Sequence, residues 1–106
     1  DPALSRALQA LHADPAQDWS LEGLARATGL SRSALVTRFA DHLGTSPMRY
    51  LRDWRLFLAA QDLAETQVPI ITVATRAGYG TEAAFTRAFR RCYGTPPAEW
   101  RRARAA

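Results

Sequence analysis

The sequence predicts an all-α protein made of two similar helical units, because nearly the same short stretch occurs in it twice. HLGTSPMRY occupies residues 42–50, and CYGTPPAEW occupies residues 92–100. The matches continue through the segments that precede these stretches, so that Phe39 aligns with Phe89. Matched residue types over so long a stretch indicate two copies of one supersecondary unit. In both copies the apolar residues recur at helical spacing, which favours helices over strands.

The first copy reads as two helices joined by a glycine turn. LEGLARATG ends at Gly29, a residue that tolerates the left-handed backbone of a helix end. Ser31 is expected to cap the next helix, SRSALVTRFADHL. The apolar positions of that helix follow helical spacing: Leu35, Phe39 and Leu43. Gly44 ends the helix and Pro47 begins another, since proline in the first turn sacrifices no helical hydrogen bond.

The second copy repeats this order. IITVATRAG ends at Gly78, and Thr81 is expected to cap TEAAFTRAFRRCY. The residues predicted to face inward are Ala84, Phe85, Phe89, Cys92 and Tyr93. Gly94 stops this helix, and a short helix follows the two prolines. Ala25 in the first copy and Ala74 in the second allow the two helices of each unit to cross closely, as a helix-turn-helix requires.

A long, largely apolar helix is predicted between the two copies. Leu51, Leu56 and Leu63 lie on one face of it, and Trp54 and Phe57 widen the apolar stripe. The predicted organisation is a first helix-turn-helix subdomain at residues 1–46, a linker helix at 47–65 and a second helix-turn-helix subdomain at 66–106.

The charge is distributed unevenly, and every cation apart from histidine is arginine. Residues 1–44 carry four arginines against five acids, whereas residues 45–106 carry ten arginines against five acids. Arginine can bind phosphate or guanine through two parallel hydrogen bonds. Two helix-turn-helix units in such a chain favour DNA binding. The linker helix would span roughly 27 Å at 1.5 Å per residue, close to the roughly 34 Å of one DNA turn, which would place the two units over successive major grooves.

Several other classes of protein are disfavoured. No apolar run reaches the length of a membrane span, and the first residues do not form a signal peptide. Cys92 is the only cysteine, which favours a buried hydrophobe in a cytoplasmic protein. His12 and His42 lie far apart, so we expect no metal, no cofactor and no catalysis. Because the chain begins with Asp1 rather than Met, we expect it to be a piece of something longer.

The sequence resembles the C-terminal DNA-binding domain of AraC/XylS-family transcription regulators. The resemblance rests on SLEGLARATGLSRSALVTRF, GTSPMRYLRDWRLFLAAQDL and ITVATRAGYGTEAAFTRAFRRCYGTPPAEWR, and it covers about residues 4–103. It implies a homeodomain-like arrangement of seven helices in two helix-turn-helix subdomains. It also implies a bacterial regulator of transcription initiation that binds double-stranded promoter or operator DNA. RNA polymerase and a missing N-terminal, cupin-type sensing domain are the further expected partners, and the isolated domain is expected to be monomeric.

The resemblance and the internal repeat select the same residues for base contact. They are Arg32, Ser33, Val36 and Thr37 in the first copy, and Glu82, Ala83, Thr86 and Arg87 in the second. Arg87 is the strongest candidate, because a guanidinium that binds guanine O6 and N7 contributes about 1–3 kcal/mol of discrimination; a phosphate contact is its alternative role. Glu82 could accept from cytosine, or could simply favour the positive end of the helix.

A second set of residues is predicted to bind the DNA backbone. Its members are Ser31, Arg38, Arg76, Thr81, Arg90, Arg91 and Arg101, with Arg102 and Arg104 as further tail arginines. An ordinary solvated basic face is the competing interpretation. The alternative function for the whole chain is a helical protein-interaction module, in which the apolar side chains of the linker helix dock on a sensing domain or on RNA polymerase.

Overall fold

The computed structural model describes residues 1–105, and within that range the chain forms seven α-helices and no strand. In chain order they are α1 Pro2–Ala13, α2 Leu21–Thr28, α3 Arg32–Leu43, α4 Pro47–Glu65, α5 Ile70–Arg76, α6 Glu82–Tyr93 and α7 Pro97–Arg104. The predicted all-α class is therefore confirmed. No helix in the described range combines the length and the apolar character that crossing a membrane requires.

The chain divides into two compact units, Asp1–Arg52 and Asp53–Ala106. The boundary falls inside α4, which covers the residues predicted for the linker helix. Leu51 belongs to the apolar core of the first unit, and Leu56 belongs to the core of the second. The finer division into residues 1–46, 47–65 and 66–106 stays a prediction.

The core of the first unit forms where the apolar faces of α1, α2 and α3 meet the start of α4. Its buried side chains are Leu4, Ala7, Leu11, Leu24, Ala25, Leu35, Phe39 and Leu51. The first helix is capped by the Asp1 carboxylate, which accepts from the backbone N–H of Ala3 at 2.9 Å. At the C-terminal end of α2, the Thr28 hydroxyl is buried and donates to the carbonyl of Ala25 at 3.0 Å.

The core of the second unit is more aromatic than that of the first. Its buried members are Leu56, Ala59, Ala60, Leu63, Val73, Ala74, Ala77, Phe85 and Phe89. The rings of Phe85 and Phe89 lie 5.7 Å apart, and Phe89 meets Trp100 edge-on at the same centroid distance. Trp100 thereby joins α7 to the inner face of α6.

The prediction that Cys92 is buried is wrong, because its side chain is exposed. Its helical phase points toward the core, but Tyr93 stacks on Phe89 at 4.6 Å and Trp100 closes against Tyr93 at 4.8 Å. These rings complete the core, so Cys92 lies beyond its edge. Leu43, predicted on the inner face of α3, is the last residue of that helix and is 40% exposed.

Candidate nucleic-acid interface

The first unit contains a helix-turn-helix made by α2 and α3. α2 ends at Gly29, whose φ of +73° reverses the chain. The backbone N–H of Leu30 then donates to the carbonyl of Ala25 at 3.2 Å and closes the turn. Ser31 begins the second helix, because its hydroxyl accepts from the backbone N–H of Ala34 at 3.1 Å. The capping role predicted for Ser31 is confirmed.

The second unit builds the same turn from α5 and α6. The backbone N–H of Tyr79 donates to the carbonyl of Ala74 at 2.9 Å, which is the counterpart of the bond between Leu30 and Ala25. The Thr81 hydroxyl accepts from the backbone N–H of Ala84 at 3.1 Å, the same distance as in the first unit. The extra glycine in this turn therefore leaves the start of α6 unchanged, and the two sequence copies are two copies of one hydrogen-bonded motif.

Each second helix buries one face and exposes the opposite one. Leu35 and Phe39 are fully buried in α3, as are Phe85 and Phe89 in α6. The predicted base-contact residues lie off these faces. Arg32, Ser33, Val36, Thr37, Glu82, Ala83 and Arg87 are exposed, and Thr86 is half-buried. Within each unit the structure therefore brings all the predicted residues together on the accessible side of one helix.

Arg87 lies on the exposed side of α6, and its guanidinium forms no ion pair or hydrogen bond within the described part of the chain. Arg90 and Arg91 follow it and occupy the last turn, where positive charge interacts favourably with the helix dipole. Glu82 occupies the first turn, where a carboxylate is stabilised for the same reason. α6 therefore offers an exposed cation, unpaired within the described residues, near its middle, between the first-turn carboxylate and the last-turn arginines.

The hydroxyls of Ser31 and Thr81 can serve two partners at once. Each oxygen accepts from a backbone N–H inside its helix, which leaves the hydroxyl proton free to donate outward. Both residues are exposed at the N-terminal end of their helices. Helix N-termini attract phosphate through their unpaired N–H groups and the helix dipole, so the geometry of both residues suits the predicted backbone role.

Two of the predicted phosphate-binding arginines form ion pairs with carboxylates that are largely buried. Arg38 donates to the Asp1 carboxylate, which also lies 3.8 Å from His42 Nε2. Arg76 bonds the Asp62 carboxylate at 3.2 Å, with more than half of its side chain exposed. Both arginines are about half exposed, whereas the Asp1 and Asp62 side chains are only 11% and 19% exposed. A DNA phosphate that binds either arginine would leave a largely buried carboxylate without its cation, so each predicted contact competes with an internal ion pair.

Arg101 is placed differently from the other arginines, and its contacts argue against the predicted phosphate role. Its Nε donates to the carbonyl of Leu63 at 3.1 Å, and its Nη1 donates to the carbonyl of Val68 at 2.7 Å. Its Nη2 is buried without a partner in the described residues. The guanidinium therefore holds the C-terminal end of α4 and the connection to α5 against α7. The phosphate role of Arg101 stays a prediction, and these contacts favour a structural role instead.

Among the other polar groups of the described residues, two tyrosines have a raised pKa. The described residues contain no group of three or more His, Cys, Asp or Glu side chains that could hold a metal ion. Burial raises the pKa of Tyr50 above its ordinary value. Burial also raises the pKa of Tyr93, with smaller contributions from Cys92 and Asp53. Both phenols therefore stay protonated at neutral pH, and Tyr50 shares a hydrogen bond of 2.6 Å with His12.

Comparison with known proteins places this architecture in a family. A family model described as a helix-turn-helix domain matches residues 24–103. The chain is 33% identical to the C-terminal domain of AraT, a response regulator from Geobacillus stearothermophilus; the match covers 100% of this chain and 88% of that one, with a TM-score of 0.96. It is 30% identical, with a TM-score of 0.90, to a transcriptional regulator from Chromobacterium violaceum described as an AraC-type DNA-binding domain-containing protein; 98% and 93% of the two chains are covered. The chain belongs to the AraC-type helix-turn-helix family.

Longer relatives of this AraC-type domain match over nearly all of the chain. A putative AraC-like transcription regulator from Streptomyces lividans is 41% identical over 102 residues, which are 96% of this chain and 34% of that protein. The chain thus spans about a third of the length of such relatives. The domain is also similar to the DNA-binding domain of AdpA, a global transcriptional factor solved in complex with a target DNA. That match has 29% identity, a TM-score of 0.88 and coverage of 97% and 92%.

Proposed function

We propose that this AraC-type domain binds double-stranded DNA sequence-specifically through α3 and α6 and thereby regulates transcription initiation. The observation that carries the proposal is the matched pair of capped helix-turn-helix motifs, each of which exposes one face of its second helix. A helix presented in this way fits the major groove, where base edges differ from one base pair to the next. The proposed geometry has the two helices in successive major grooves.

The roles of the two helices are proposed to differ. α6 supplies Arg87, a long cation suited to guanine O6 and N7, at the position where α3 has Thr37. Thr37 and Val36 are suited to a thymine methyl or to a single hydrogen bond. More of the sequence discrimination is therefore assigned to the second unit, and Arg32 is assigned to base or backbone contact in the first.

We also propose partners, a location and an oligomeric state. RNA polymerase is a proposed partner, because regulation of initiation acts on it. An additional sensing domain is also proposed, because the AraC-like relatives are about three times the length of the matched segment. A bacterial cytoplasmic location is proposed, because that is where such a DNA target lies. The proposed activity is binding and not catalysis, and it needs no cofactor. The isolated domain is proposed to act as a monomer.

Selection from a random pool of DNA duplexes tests the proposal. The domain is compared with Arg87→Ala and with a control, Arg26→Ala, which removes an exposed arginine from α2, where it pairs with Glu22 at 3.6 Å. Circular dichroism checks that all three proteins are folded. We expect the wild-type domain and the control to enrich two short motifs about ten base pairs apart, one helical turn. Arg87→Ala should weaken the base preference within one guanine-containing motif and leave the base preference of the other motif unchanged.

A third variant makes the test sharper. Thr37→Arg installs in α3 the side chain that the second copy has at Arg87, so it should add a guanine preference to the other motif. Enrichment of no sequence by the wild-type domain at low salt would refute the proposal. An equal loss of base preference in both motifs with Arg87→Ala would instead show that Arg87 contacts only the DNA backbone.

One observation favours the second candidate function, a protein-interaction module. Phe57 is 44% exposed although it stacks on Trp54 at 5.4 Å. It borders an apolar cleft of about 340 Å³ that Tyr93 and Trp100 also line. A module that only docks on protein would enrich no DNA sequence in the selection experiment, so the same measurement separates the two functions.

A further inference from the structure

A polar cleft lies beside α3 in the first unit, next to the proposed base-contact face but outside it. Its volume is about 390 Å³. The residues that line it come from α3, the turn after α3 and the first turn of α4: Val36, Ala40, Gly44, Thr45, Ser46 and Arg49. Val36 belongs to both the cleft and the proposed base-contact set, so a groove-bound α3 brings the cleft close to the edge of the DNA.

The cleft carries one cation and two hydroxyls. Arg49 is exposed, and its guanidinium forms no ion pair or hydrogen bond within residues 1–105. The Ser46 oxygen accepts from the backbone N–H of Arg49 at 3.3 Å, which leaves its proton free to donate. The Thr45 hydroxyl is buried and has no hydrogen-bond partner in the described residues. The cleft holds no acidic side chain, so the donors on its surface have no internal acceptor of opposite charge.

The same positions in the second copy have lost these properties. Ser46 is replaced by Pro96, which has neither a hydroxyl nor an N–H, and Arg49 is replaced by Glu99. Thr45 is matched by Thr95, whose hydroxyl donates to the carbonyl of Pro96 at 3.5 Å. The helix ends are otherwise alike, since Gly44 and Gly94 both close the preceding helix by the same backbone hydrogen bond. The polar cleft is therefore specific to the first unit and is not a requirement of the fold.

We infer that Ser46 and Arg49 form a phosphate-binding site for the DNA backbone, and that this site anchors the first unit beside the major groove. A backbone phosphate supplies the anionic oxygens that the guanidinium and the Ser46 hydroxyl lack. The inference rests on the proposed DNA binding and deepens it. It also gives the two copies complementary tasks, because the first has the backbone arginine at 49 and the second has the base-reading arginine at 87.

Salt dependence distinguishes this site from a base contact. The binding of the domain to its selected duplex and to a scrambled duplex is measured by fluorescence anisotropy between 50 and 200 mM salt. The proteins are wild type, Arg49→Ala, Arg49→Lys and the control Arg26→Ala, which removes one positive charge from the same unit. Loss of one phosphate contact should make the slope of log affinity against log salt shallower by about 0.9 and weaken binding about fivefold at 0.15 M salt.

Four outcomes decide the inference. A slope that becomes shallower by about one with Arg49→Ala on both duplexes, but not with Arg49→Lys or Arg26→Ala, supports the site. A wild-type slope in Arg49→Ala overturns it and leaves the proposed function standing. A variant that loses only its preference for the selected duplex also overturns it, because Arg49 would then contact bases. If the wild-type domain itself fails to bind duplex DNA, the proposed function fails and the phosphate site fails with it.

Discussion

Arg101 shows how a single side chain can stabilise backbone far from it in sequence. Its two hydrogen bonds reach carbonyls at Leu63 and Val68, and both are partly buried. The aligned position in the first copy is Leu51, which is almost completely buried. We therefore expect Arg101→Ala to leave two carbonyls without donors and to lower the free energy of unfolding by about 2–3 kcal/mol. Urea unfolding followed by circular dichroism measures this directly.

The exposed neighbour provides the control for that prediction. Arg102→Ala removes the same charge from α7 and should change the free energy of unfolding by less than about 0.5 kcal/mol. If Arg101→Ala instead retained full stability and reduced only the salt dependence of DNA binding, the original assignment of Arg101 to phosphate would be right and the structural role would be wrong.

At the scale of a helix, α6 is framed by two glycines that differ in one property. Gly94 ends the helix with a φ of +80°, whereas Gly80 precedes the helix without a positive φ. A Cβ added at either position would meet nothing within 4 Å. Gly94→Ala should therefore cost about 1 kcal/mol through left-handed backbone strain alone. Gly80→Ala should be neutral, or stabilising by up to about 1 kcal/mol, because it restricts the unfolded chain.

Thermal and urea unfolding of the two glycine variants give the comparison. Equal destabilisation by both changes would mean that packing rather than backbone conformation limits the ends of α6. A larger loss at Gly80 would show that the turn between α5 and α6 needs the freedom of its extra glycine.

The elements that the sequence predicted well are those set by local chemistry. Ser31 and Thr81 predict where α3 and α6 begin, because an N-terminal cap needs only a side-chain hydroxyl that accepts from the backbone N–H three residues later. The exposed faces of α3 and α6 follow from helical period alone. The exposure of Cys92 and the contacts of Arg101 could not be predicted, because they depend on how α7 packs against α6 and against the end of α4. Helical periodicity within one segment does not encode such tertiary contacts. Trp100 packs on Tyr93 and completes the core, so that Cys92 stays outside it. Arg101 donates to a carbonyl at the end of α4, 38 residues earlier in the chain.

The Arg49 cleft was missed for another reason. Its signal was present in the repeat, since Ser46 and Arg49 align with Pro96 and Glu99. A repeat indicates the structure that its copies share, and the phosphate site lies where they differ. Gly44 and Pro47 match Gly94 and Pro97, whereas the third residue of the following helix is Arg49 in the first copy and Glu99 in the second.

At the scale of the molecule, the distribution of arginine governs how DNA binding should respond to salt. The chain carries a formal charge of +4, and ten of its fourteen arginines follow residue 44. With about six phosphate contacts, log affinity should fall with log salt at a slope near −5, a loss of about a thousandfold between 50 and 200 mM salt. Anisotropy titrations with a labelled duplex measure the slope, and removal of both Arg90 and Arg91 should make it shallower by about two. A wild-type slope no steeper than about −2 would contradict this account, because the domain would then hold DNA mainly through uncharged contacts.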